Sequence, residues 1–126
     1  MTDPIRVWEF QGAEMDLLVA RADQVPHARI VESACVIASS MERYRPSSDW
    51  ADGGPIIERE KISLWRYPDL DSWHACLEFA FVRDEGLKVK SYCQGPTPLI
   101  AAMRCFAASK FWQVAEGELA SAPSID

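Results

Sequence analysis

Apolar positions along the chain switch between two spacings. Met15, Leu18, Val19 and Ala22 fall at i, i+3, i+4 and i+7, the stripe of a helix that buries one side. The spacing predicts a helix over Gly12–Asp23, with Glu14 and Asp16 near its start and Arg21 near its end, as the helix dipole favours. Pro26 stops it. Ile30, Val31, Cys35, Val36 and Ile37 predict a strand in the second half of Arg29–Ala38. Ser39–Asp52 is polar and aromatic and reads as a long ordered loop, with a short helical turn near Met41–Tyr44.

Asp52-Gly53-Gly54-Pro55 predicts the start of a short helix, with Pro55 at its first position and about two turns over Ile56–Lys61. Ile62–Tyr67 then alternates. Ile62 and Leu64 face one way, Trp65 and Tyr67 the other. Pro68-Asp69-Leu70-Asp71 is a turn. Trp73–Val82 is a second strand, with Leu77, Phe79 and Phe81 alternating. Asp84-Glu85-Gly86 is a hairpin signal. Leu87–Tyr92 is a third strand, with Leu87 and Val89 opposed to Lys88 and Lys90. The three should form an antiparallel meander. Thr97 is a good N-cap and Pro98 a good first residue for a last helix. In it Ile100, Met103, Ala107 and Phe111 keep helical spacing to about Trp112.

These elements predict an α+β fold: an antiparallel sheet of three to four strands with two principal helices packed on it. Residues 1–114 should form one domain and 115–126 a flexible C-terminal tail. The 126 residues suit one core. A net charge of −6 argues against general nucleic-acid binding. The opening Met1-Thr2-Asp3-Pro4 lacks the basic and apolar runs of a secretory signal, and no apolar run is long enough to span a bilayer. The expectation is a cytoplasmic protein with no membrane contact. Cys35, Cys76, Cys93 and Cys105 form no C-x-x-C pair, and His27 and His74 are the two histidines. Zinc sites need ligands clustered at short spacing, so no metal is expected. Free buried thiols fit a reducing compartment better than disulfides. Cys76 and His74, two apart on one strand face, read as structural.

Two stretches are unusually specific. One is Pro46-Ser47-Ser48-Asp49-Trp50-Ala51-Asp52-Gly53-Gly54-Pro55-Ile56-Ile57-Glu58-Arg59-Glu60; the other is Gly95-Pro96-Thr97-Pro98-Leu99-Ile100-Ala101-Ala102-Met103-Arg104. Together with the opening Gly12–Ala22 stretch they resemble the NinX-like family of small phage and prophage proteins. The resemblance runs from about residue 5 to 114. Gln11 stands where a Thr usually caps the first helix, Leu18 replaces an aromatic, and Trp112 replaces a glycine. The Phe79–Lys90 hairpin also looks longer than is common. The resemblance implies an accessory protein acting in the cytoplasm of a bacterial host. It carries no catalytic residues over.

Within these stretches several residues invite a chemical role. Gly53-Gly54-Pro55 is not a phosphate-binding loop, because no G-K-[ST] follows. It reads as a tight loop feeding a helix, or as an amide nest for an anion that Asp49, Asp52 and Glu58 would oppose. Trp50 reads as a core anchor, or as a stacking platform beside Ser48 and Asp49. Gly95 and Thr97 open the last helix, and Thr97 should satisfy its first amides. Arg104 should pair with a carboxylate such as Asp49 or Glu58; otherwise its guanidinium faces a ligand. Glu58 and Glu60 read as solvated. The two specific stretches are expected to converge on one site.

No catalytic set, metal site or cofactor is read, and the balance falls against an enzyme. The first functional reading is a non-enzymatic module that binds and modulates a host or phage protein. The candidate ligand- or partner-binding residues are Ser48, Asp49, Trp50, Gly53, Gly54, Glu58, Gly95, Thr97 and Arg104. The second is a binder of, or small enzyme acting on, an anionic small molecule such as a nucleotide. The third is a structural homo-oligomer. An exposed aromatic patch would favour the first. A concave pocket containing Arg104 would favour the second.

Overall fold

A computed structural model describes residues 5–77, 80–84, 86–88, 90–111 and 113–114. The expectations for Phe79, Glu85, Val89, Trp112 and the tail 115–126 lie outside the described residues.

The fold is α+β. In order it comprises β1 (Ile5–Arg6), a 3-10 turn (Val7–Glu9), α1 (Gly12–Ala22), β2 (Ala28–Val31), β3 (Ala34–Ile37), β4 (Glu42–Arg43) and α2 (Trp50–Glu60). Then follow β5 (Ser63–Trp65), β6 (Trp73–Leu77), β7 (Ala80–Val82), β8 (Gly86–Lys88), β9 (Ser91–Gly95), α3 (Pro98–Lys110) and β10 (Gln113–Val114).

The described strands form two three-stranded antiparallel sheets, β2-β3-β4 and β5-β6-β9, and two short ribbons, β1-β10 and β7-β8. The expected meander is present. Its third strand is divided: β8 pairs with β7, and β9 pairs with β6.

α3 is the central element. Leu99, Ala101, Ala102, Met103, Cys105, Phe106, Ala107 and Ala108 are all buried, and a helix apolar nearly all round lies in a core rather than on a surface. β6 and β9 pack against it, as do α1 and α2. Small alanines let these partners approach. Ser91 at the start of β9 donates its hydroxyl to the Cys105 carbonyl at 2.8 Å, and the Cys105 thiol returns to the Ser91 carbonyl at 3.4 Å. At the other end of β9, a Cβ on Gly95 would lie 2.7 Å from the Ala101 nitrogen. Only glycine fits so near another backbone.

Two local expectations are corrected and one is extended. The strand expected in the second half of Arg29–Ala38 is β3, and the first half adds β2, which pairs with it as a hairpin. Glu32 and Ser33 both take left-handed φ, 50° and 66°, which gives the two-residue turn that antiparallel strands favour. Met41–Tyr44 is not a helical turn: Glu42 and Arg43 form β4, paired with Ile37 and Val36. α2 begins at Trp50, so Pro55 lies inside the helix rather than at its first position. Asp49 is the cap, its Oδ1 accepting from the Ala51 N–H at 2.9 Å.

Candidate functional site

The first specific stretch is held by carboxylates from two helices. Asp16 of α1, buried, accepts from the Ser47 N–H at 2.8 Å. Asp52 of α2 accepts from the Arg45 N–H at 2.9 Å. Between them Pro46 is fully buried. Gly53 packs over it: a Cβ there would strike the Pro46 carbonyl oxygen and lie 2.7 Å from Leu99 Cδ2. The two specific stretches therefore meet at Gly53 and Leu99, and they meet by packing.

The remaining candidates fall in place around that contact. Asp49 caps α2 and pairs with Arg45 at 3.6 Å. Ser48 and Glu58 are exposed. Gly54 has open space except for the Trp50 ring, 3.9 Å from a built Cβ. Trp50 is 54% exposed, so it does not anchor the loop in the core. Thr97 caps α3, accepting from the Ile100 N–H at 3.1 Å, as the sequence predicts.

Arg104 departs from expectation. Among the described residues it pairs with no carboxylate. Its Nε donates to the Phe10 carbonyl and its Nη1 to the Gln94 carbonyl, both at 3.0 Å. The guanidinium thus ties α3 to the end of β9 and to the segment before α1. It is half-buried, and burial pushes its pKa below the ordinary arginine value. Two clefts open beside it. One, about 370 Å³, is lined by Trp8, Tyr92, Cys93, Gln94 and Arg104. The other, about 360 Å³, is lined by Asp71, Ser72, Gln94, Gly95, Pro96 and Arg104.

Next to these clefts lies a cluster that sequence reading missed. Register places Trp65, His74 and Gln94 side by side across β5, β6 and β9, on the sheet face opposite the core residues Leu64, Ala75 and Cys93. The His74 ring stacks with Trp65 at 5.5 Å and 13°, and Tyr67 meets it edge-on at 5.2 Å. Its Nδ1 lies 2.6 Å from the Tyr92 hydroxyl. Gln94 Nε2 donates to that same hydroxyl at 3.1 Å, while Gln94 Oε1 accepts from Ser72 at 3.4 Å. His74 Nε2 is left buried without a partner among the described residues. Tyr67 and Tyr92 remain 52% and 42% exposed. The alternation of Trp65 and Tyr67 was legible, as was the shared face of His74 and Cys76. Their juxtaposition with Tyr92 depends on register.

The thiols are poor nucleophiles, since burial pushes Cys93 up to about 11 and Cys35 and Cys105 up to about 12. All four cysteines are free and buried. Aromatic rings, a fixed guanidinium and an oriented amide offer stacking and hydrogen bonding instead.

Among the described residues no helix is long and apolar enough to cross a membrane. A search of curated proteins finds no match. The profile of the family described as "Bacteriophage P22, NinX" matches residues 6–110, which takes in both specific stretches and the aromatic cluster. The chain belongs to this phage NinX family.

Proposed function

We propose that this phage accessory protein is a non-enzymatic module, working in the bacterial cytoplasm, that binds a host or phage protein through the outer face of the β5-β6-β9 sheet. The observation that carries this reading is the group of Trp65, Tyr67 and Tyr92 around His74, with Tyr67 and Tyr92 about half exposed. α3 covers the opposite face. Tyrosine, tryptophan and arginine dominate the energetics of protein interfaces, because each joins a large contact area to a polar tip. Arg104 lies beside this face, in the cleft that Tyr92 also lines.

The test is recovery of a partner from phage-infected cells with the tagged full chain. The protein that wild type retains should be lost with Tyr67→Ser and kept with Trp50→Ser. A partner held equally by Tyr67→Ser would overturn the choice of face. Recovery of only further copies of the chain would mark the face as a self-interface instead.

A further inference from the structure

We infer that the cleft between Trp8 and Arg104 binds a small organic anion, one carboxylate or phosphate carried on a planar ring. Three observations converge. Arg104 is a cation with no carboxylate partner among the described residues, and its plane is fixed by the Phe10 and Gln94 carbonyls. Those two bonds use Nε and Nη1, so Nη2 has no protein acceptor among the described residues. It keeps two N–H donors for an oxyanion. Among the described residues no carboxylate lines the cleft.

The other lining groups define the rest of the ligand. Trp8 and Tyr92 line the cleft as its aromatic groups, with the Arg6 guanidinium 5.7 Å from the centre of the Trp8 ring. Gln94 adds an amide whose orientation is set by Ser72 on one side and Tyr92 on the other. Cys93, with its thiol pushed up to about 11 by burial, stays protonated near neutral pH and leaves the Arg104 charge uncompensated. A volume of about 370 Å³ is at the small end for ligand pockets and suits a nucleoside monophosphate or an aryl carboxylate. The second cleft is less suited to an anion, because Asp71 lines it. This inference goes beyond the protein-binding proposal and does not depend on it.

Calorimetric titration of the full chain tests it with defined probes: a nucleoside 5′-monophosphate, its nucleoside, 4-hydroxybenzoate, the methyl ester of that acid, and inorganic phosphate. At least one ring-bearing anion should bind about tenfold or more tightly than its neutral counterpart and than inorganic phosphate. The nucleotide and the benzoate arms separate phosphate from carboxylate. Gln94→Glu places a carboxylate in the cleft that Arg104 also lines, at an exposed position and at the cost of the donor to Tyr92, so it should stay folded with a slightly lower unfolding midpoint and weaken the anion by about tenfold or more. Arg104→Lys keeps the charge, loses the fork and should weaken it too. Tyr67→Ser should leave anion binding intact even if it abolishes partner recovery. The inference is overturned if no anion binds better than its neutral counterpart, or if folded Gln94→Glu binds as wild type does.

Discussion

Gly53 lies so close to Leu99 that a β-carbon on the glycine would sit 2.7 Å from the leucine Cδ2 while striking the Pro46 carbonyl. The leucine can turn aside. The Pro46 carbonyl is backbone and cannot. Gly53→Ala gains about 0.5–1 kcal/mol of helix propensity and loses about 1–3 kcal/mol to overpacking, so it should destabilise. Gly54→Ala meets nothing nearer than the Trp50 ring at 3.9 Å, and it should stabilise by about 0.4–1 kcal/mol. Urea midpoints of the two variants should move in opposite directions.

Asp16 is a buried carboxyl whose pKa burial raises, against the lowering effect of its bonds from Ser47. A raised folded value means that the native state holds the proton more tightly than the unfolded chain. This contribution is fully present below the unfolded value of about 3.8 and is lost as pH rises through the higher folded value. Asp16→Asn keeps an acceptor for the Ser47 N–H without the buried charge. Its stability relative to wild type should therefore improve from acid to neutral pH. Asp16→Ala leaves that N–H unpaired and should cost about 1–3 kcal/mol at every pH. Denaturation of the three proteins between pH 4 and pH 7, about the window where carboxylates titrate, checks both statements.

Arg104 joins residues far apart in the chain, Phe10 and Gln94, through their carbonyls. Arg104→Ala removes both bonds, and half-burial limits how well water can replace them. The loss should be about 1–3 kcal/mol, read as a lower thermal midpoint in the absence of any ligand.

The four buried thiols should be slow to react. Cys35, Cys93 and Cys105 are raised to about 12, 11 and 12, and Cys76 is raised by burial as well. A disulfide reagent at about pH 8, near the ordinary thiol pKa, should label the native protein slowly and all four positions at once on unfolding. Rapid labelling of one thiol in the folded protein would contradict this packing.

Local signals made much of the fold legible. Met15, Leu18 and Val19 placed α1, and Thr97-Pro98 placed α3 with its cap. The opposed faces of Leu64 and Trp65 were read correctly. The β2–β3 hairpin was missed because Glu32 and Ser33 take left-handed φ without the glycine or asparagine that normally signals it. α2 starts early because the Asp49 cap and the packing of Gly53 override the usual place of proline. The site was less legible. Arg104 finds main-chain carbonyls, which no side-chain pattern records. The His74–Tyr92–Gln94 chain spans two strands whose register only the folded sheet sets.

The proposal that the aromatic sheet face is the docking surface is tested most directly by site-specific photo-crosslinking in phage-infected cells. A photoreactive phenylalanine at position 67, on this face, is compared with one at position 29, exposed on β2. The account predicts a discrete crosslinked partner from position 67 and none from position 29. A partner captured from position 29 but not from position 67 would contradict it.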